Sequence, residues 1–398
     1  MRSKSLLLLA SLVLSLPLAG CQQNKKEPTP REKATHEWNS ARAAVLFGLA
    51  TDQYKSGNFD KSRQTVGEAM KLVPDSAPLH VLSAKLYIEG GQLEMAEQEL
   101  KIARQFSPNE GEAYYLSGVV YQRWQKPQTA YEFYRQATSK APAELAYLMA
   151  ESEMLVAMDR MPEALELLQS KVTYFEHSGT IRDAVGQMLM QAGRYGDAVA
   201  MLREASILSE TEEPIRERLA SALYANQEYR ECADVLAHLM QKEPYSKRGD
   251  LYTTLGECQL HLNNPRAART TFETATQLEA FSARAWQGLG RSALECGDVH
   301  RAEMALSHSL SLDRTNSETN LMLGYVRLRQ DRPADALALF QKANAADARD
   351  TVSLCMIGYT MEKLGRPGDA TQFYSRALKL KPGDALASQL LANIDLHE

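Results

Sequence analysis

Valine and isoleucine together supply 22 of the 398 residues, too little β-branched material for a large sheet, which excludes an all-β or doubly wound fold. Glycine and proline number 22 and 15, far short of a collagen-like or low-complexity chain, while 44% apolar and 24% charged residues are the balance of a folded one. A basic excess is missing. The net charge of −5 gives no general attraction to nucleic acid or to anionic lipid. Chemistry-bearing motifs are missing as well: no Gly-x-x-x-x-Gly-Lys-Ser/Thr, His-Glu-x-x-His, Cys-x-x-Cys or Gly-x-Ser-x-Gly occurs, the spacings that cradle phosphate, hold metal or present a nucleophile. His300 and Glu303, three apart on an expected outer helix, read as a solvated face. Arg327, Arg329 and Arg332, the densest basic cluster, read as a charged loop edge. These absences lead us to expect no catalytic residues, no metal, no cofactor, no nucleic acid and no small-molecule substrate.

What is present begins with an export signal over residues 1–20. Arg2 and Lys4 make a positive start, Leu6 to Leu16 an apolar run too short to span a bilayer, and Leu18-Ala19-Gly20 a small-residue exit before Cys21. Leu-Ala-Gly-Cys resembles the lipobox of bacterial lipoproteins. That resemblance implies cleavage before Cys21, a diacylglyceryl thioether on its sulfur and an acylated amine, enough acyl chains for stable anchoring. Loss of Arg2 and Lys4 takes the net charge from −5 to −7. Gln22 stands where an Asp would retain such a protein on the inner membrane, so the resemblance favours the outer membrane, facing the periplasm. Residues 21–31, polar and with two prolines, suit a short solvated tether.

The remainder repeats itself. Counting from Ala43, units begin at 43, 77, 111, 145, 179, 213, 249, 283, 317 and 351, each step 34 residues except one of 36 that carries two extra residues near Tyr245 to Arg248. The eighth residue of every unit is small, from Ala50 and Gly118 to Gly358. The twentieth is Ala, Ser or Cys throughout, and the twenty-fourth is bulky, from Val66 and Tyr134 to Tyr374. Small residues at 8 and 20 allow two helices to approach closely, with the residue at 24 filling the space beside the contact. One such pair cannot bury its apolar face alone; stacked pairs can. Pro74, Pro108, Pro142, Pro244 and Pro382 punctuate the ends of second helices, and Gly57-Asn58, Gly90-Gly91, Gly193 and Gly365 mark the turn inside a unit.

This pattern resembles the tetratricopeptide repeat family. The resemblance implies an all-α fold: a right-handed α-solenoid of ten helix pairs over residues 32–382, with a capping helix over 383–398. That cap carries Leu386, Leu390, Leu391 and Ile394 at helical spacing beside Asp384, Asn393 and Asp395, as a solvating end helix needs. The fourth unit departs from the pattern, with Glu151 at position 7 and Lys171 at position 27. Either the two pair across a weakened core, or the unit is loosely packed, or both turn to water. Cys232, Cys258, Cys296 and Cys355 fall at different registers; Cys232 with Cys258 is the one pair worth testing as a disulfide, against buried thiols acting as small apolar residues.

In this family the first helix of each unit lines a concave groove with positions 2, 5, 9 and 12. Carried onto this chain, that implies a partner-binding groove of Phe47, Tyr54, Val81, Ile88, Tyr115 and Met149 at one end and Leu321, Tyr325 and Tyr359 at the other. Between them lie Asp183, Glu217 and Glu257, which favour a positive patch on the partner. The function this implies is a cell-envelope lipoprotein, anchored through Cys21, that binds a protein or peptide partner as a scaffold or assembly factor. Alternatives are a pilotin-like factor for a pilus or secretion complex, an exopolysaccharide-export scaffold, an envelope enzyme with an unrecognised site, or a passive spacer.

Overall fold

The structure, a computed structural model, describes residues 29–209 and 211–395. The expected signal segment, Cys21 and all but the end of the tether lie outside the described residues. Within them the regular structure is helical, and no strand occurs.

Contacts group the chain into two compact units, one up to Tyr147 and one from Leu148 onward. The first holds the pairs α1 (Pro30–Lys55) with α2 (Phe59–Leu72), α3 (Ala77–Glu89) with α4 (Leu93–Phe106), and α5 (Gly111–Arg123) with α6 (Pro127–Lys140). The division falls near the start of α7 (Leu145–Ala157), inside the repeat that departs from the pattern; α8 (Met161–Gln169) follows. The second unit continues with α9 (Gly179–Gln191) and α10 (Tyr195–Leu208), α11 (Glu213–Ala225) and α12 (Tyr229–Leu239), and α13 (Gly249–His261) and α14 (Pro265–Leu278). It ends with α15 (Ala283–Glu295) and α16 (Val299–Leu312), α17 (Ser317–Arg329) and α18 (Pro333–Ala346), α19 (Thr351–Lys363) and α20 (Pro367–Leu380), and the single helix α21 (Ala385–Asp395).

The small and bulky positions meet as the spacing demands. A Cβ added at Gly186 would come within 2.6 Å of Leu202 Cγ, and one at Gly256 within 2.8 Å of Phe272, so position 24 packs directly over the bare backbone of position 8. Position 20 joins the same contact: the Ser62 hydroxyl donates to the Ala50 carbonyl at 2.7 Å, and the Cys232 thiol to the Ala220 carbonyl at 3.2 Å. Position 24 also reaches position 12, as the Tyr134 hydroxyl donates to Gln122 at 2.6 Å; three residues separate the two helices of each pair, so the second folds back antiparallel on the first.

The turn inside a repeat is equally regular. Position 15 adopts positive φ in all ten repeats, as glycine at Gly57, Gly91, Gly193, Gly297 and Gly365 and as another residue at Gln125, Asp159, Gln227, Asn263 and Asp331. The next amide then reaches back five residues, as Asn58 N to Gln53 O at 2.8 Å and Glu228 N to Leu223 O at 2.9 Å, closing a Schellman turn. Two repeats differ. The extra residues of the sixth form a 3₁₀ turn at Tyr245–Lys247. In the fourth, α8 stops at Gln169, so Lys171 lies in the following turn, whereas Glu151 is buried within α7. Glu151 therefore does not turn to water.

Both ends are capped by side chains. Thr29 and Glu32 form a reciprocal capping box, the Glu32 amide donating to Thr29 Oγ1 at 3.3 Å; α1 thus starts at Pro30, two residues before the expected start of the solenoid at 32. At the other end Asp384, expected on the solvated side, is largely buried and caps α21: its carboxylate accepts from the Ala387 amide at 3.1 Å and the Thr351 hydroxyl at 2.8 Å. Those two bonds hold its pKa below the usual carboxylate range. Ala387 and Ile394 are buried against α19 and α20, with Leu390 and Leu391 beside them, while Leu386 is exposed.

Candidate protein-binding grooves on the first helices

In the first unit the first helices α1, α3 and α5 carry the expected groove residues, and burial sorts them. Val81 and Ile88 are 3% and 5% exposed within the core cluster around Leu100 and Val120, so they are packing residues rather than groove surface. Bulk next to the small position 84 draws them inward. Phe47 and Tyr54 are half-buried over Ala50, Val66, Leu82 and Leu86, and the Tyr54 hydroxyl donates to Glu89 at 3.2 Å. Phe47 also lines a cavity of about 300 Å³ with Ala43, Val73, Pro78 and Leu79. Tyr115 stacks on Tyr147 with ring centroids 4.7 Å apart and tilts against Tyr134 at 5.5 Å. Burial, then the Glu112 charge, push the Tyr147 hydroxyl up to about 12. Lys85, the basic residue at position 9, is paired with Glu112 at 2.6 Å.

In the second unit Met149 is half-buried. The three acids read as mid-groove charge are already matched by arginines on, or capping, the next first helix. Asp183 receives Arg218 Nε and one of its terminal amines, each at 2.6 Å. Glu217 receives Arg248 at 2.7 Å, and Glu257 receives Arg284 Nε at 2.6 Å. Arg248 also grips Asp250 at 3.0 Å, and that bond, with the one to Glu217, raises its pKa. The Tyr224 hydroxyl is pushed up to about 12 by burial and by its hydrogen bond to Glu257. Gln287 donates to Glu318 at 2.9 Å, completing a polar ladder along α9, α11, α13, α15 and α17. This corrects the expectation that the acids call for a positive patch on a partner: their charge is neutralised within the chain. Arg218, Arg248 and Arg284 were the residues missed. The available signal was an acid at position 5 or 9 followed by an arginine 27 to 35 residues later.

Beyond the ladder the surface turns apolar. Leu321 is half-buried against the Phe340 and Ile357 cluster, Tyr325 is 43% exposed on α17, and Tyr359 is half-buried on α19. Arg329 sits 5.9 Å over the Tyr325 ring and Lys363 5.3 Å over that of Tyr359. The basic cluster is absorbed locally: Arg327 pairs with Glu303 and Arg332 with Asp335. Glu303 also accepts from Gln330 at 2.5 Å. Among the described residues Cys232, Cys258, Cys296 and Cys355 are free thiols, all buried but Cys296. A hydrogen bond to Cys258, then burial, push the Cys232 thiol well above its ordinary range.

Among the described residues no group of three or more His, Cys, Asp or Glu is placed to hold a metal ion, and no helix is long and apolar enough to cross a membrane.

The tetratricopeptide repeat family model matches residues 111–144, the third unit of the register. The third unit is thus similar to a tetratricopeptide repeat. Residues 235–398 match the model of the C-terminal domain of cilia and flagella-associated protein 70. The chain is similar to BBSome complex member BBS4 of Bos taurus, 22% identical over 221 residues, which is 56% of this chain and 42% of that protein. It spans less than half the length of that curated relative. Among solved structures it resembles the APC/C hetero-tetramer Cut9-Hcn1, at 13% identity over 89% of this chain and 90% of that one with a TM-score of 0.49. A tetratricopeptide repeat protein from Parabacteroides merdae matches at 15% identity, 62% of this chain and 97% of that one, TM-score 0.48.

Proposed function

We propose that this tetratricopeptide-type chain is a lipid-anchored scaffold of the bacterial cell envelope, held on the outer membrane through Cys21, that binds a protein partner along its first helices. The carrying observation is the aromatic surface of α17 and α19, where Tyr325 is 43% exposed and Tyr359 half-buried, next to a ladder whose charges are already matched. An exposed tyrosine offers large contact area at low entropic cost. The partner segment is therefore an extended peptide or amphipathic helix presenting apolar side chains rather than a basic patch. The anchor reading is supported by Leu18-Ala19-Gly20-Cys21 behind a complete signal segment.

Two measurements test it. Radiolabelled palmitate is expected to enter the wild-type chain and not Cys21→Ala. Capture of envelope proteins by the full chain is expected to lose a discrete partner on Tyr325→Glu with Tyr359→Glu, while the substitution Met304→Glu on the outer helix α16 leaves it. Equal capture by all three chains contradicts the groove reading.

A further inference from the structure

Helix α1 carries a second apolar face, opposite the one it packs into the unit. Val45 and Leu49, positions 3 and 7 of the first repeat, are 73% and 49% exposed, and Trp38, two turns upstream of Val45, is 67% exposed. In the two repeats that follow, the same positions are buried, as Leu79, Ser83, Ala113 and Ser117, because they stack on the preceding pair. The face is thus a stacking surface that no described residue covers. It follows a heptad: Trp38, Val45 and Asp52 recur every seven residues, and Ala34, Ala41 and Gly48 recur between them. Gly48 stands out. Glycine inside a helix costs about 1 kcal/mol relative to Ala, and a Cβ added there would meet nothing within 4 Å, so no contact inside the chain accounts for it.

We propose that this face is where a second copy of the chain docks, with the two α1 helices antiparallel about a two-fold axis. Antiparallel heptads set each large position against a small one of the other copy. In the register this sequence selects, Trp38 lies over the partner copy's Gly48, Val45 over its Ala41, and Asp52 over its Ala34. The same register brings Asp52 near Arg31 of the other copy, and that carboxylate offsets the approach of Arg31 to Lys55. Bulk and clearance are self-complementary on one helix, and Asp52 matches Arg31 in the same register. A lipid surface is the disfavoured occupant: Ala34, Ala41, Gly48 and the acid Asp52 interleave with Trp38 and Val45 along the stripe, and the exposed face of α1 mixes Arg31, Lys33 and Arg42 with Glu32 and Glu37. The inference stands independently of what the first-helix grooves bind.

The test uses the full chain carrying Cys21→Ser, by light scattering and sedimentation over a dilution series. A monomer–dimer equilibrium is expected, weakened at least tenfold by Trp38→Glu and by Gly48→Leu, with helix content unchanged by circular dichroism. Gly48→Leu is informative because the single chain has room for the leucine. Paired Ala41→Cys and Val45→Cys are expected to give an interchain disulfide under mild oxidation, and Ala41→Cys alone to give far less; strong cross-linking of the single variant marks a parallel pair and overturns the geometry. A monomer at every concentration, association indifferent to both substitutions, or a monomer that binds phosphatidylglycerol vesicles through Trp38 overturns the proposal.

Discussion

At the residue scale the fold rests on a contact between two side-chain sizes, and the contact is testable at single positions. Gly186→Ala places a methyl 2.6 Å from Leu202 Cγ, so it is expected to destabilise the second unit by about 1–3 kcal/mol through overpacking, measured by urea denaturation. The opposite sign is expected at position 15. Gln227 holds φ of 63°, a conformation that glycine adopts without a Cβ penalty, so Gln227→Gly is expected to raise the melting temperature, by roughly 1 kcal/mol or less in free energy. Ionisable side chains add a pH dependence. Cys232, Cys355 and Tyr224 bind their protons more tightly folded than unfolded: hydrogen bonding to Cys258 and burial act on Cys232, burial and the Asp384 charge lift Cys355 to about 11, and burial with Glu257 lifts Tyr224 to about 12. Stabilisation of this kind is complete below the unfolded thiol pKa of about 8.5 and fades as the pH rises toward the folded values. The urea midpoint is expected to fall between pH 8 and about pH 11, and less steeply for Cys355→Ala.

At the element scale, capping decides where helices stop and what holds the last one. Asp384 joins the start of α21 to Thr351 at the start of α19, and its pKa is depressed, chiefly by the Ala387 amide. The cap is therefore present above the ordinary carboxylate range and lost as the pH falls through the depressed value. Asp384→Ala is expected to raise amide hydrogen exchange across residues 385–395 at neutral pH, matching what wild type shows only in acid. The helix pairs themselves were legible in the sequence, since positions 8, 20 and 24 differ in volume and volume repeats with the register. What was illegible is instructive. Val81 and Ile88 sit at groove positions by register, yet they are core, because the register fixes where a Cα stands and not how far its neighbours leave it open. Asp384 read as a solvating charge because a cap and a surface acid look alike until the amide of Ala387 is placed.

At the scale of the molecule, the account separates what the repeats do for themselves from what they leave available. The salt links from Asp183 to Arg218, Glu217 to Arg248 and Glu257 to Arg284 join one first helix to the next or to its cap, so they were invisible while positions 5 and 9 were taken within each unit alone. Partly exposed pairs of this kind contribute little each; reversal of one, as Arg284→Glu, sets like charges against Glu257 and is expected to lower stability without abolishing partner capture. The aromatic ends are what remains. The most direct measurement of the central claim is site-specific photo-cross-linking in living cells, with benzoylphenylalanine placed at Tyr325 on α17 and, separately, at the exposed Met304 on α16. A discrete adduct from position 325 and none from position 304 is the predicted result; adducts from both, or from 304 alone, contradict a groove on the first helices.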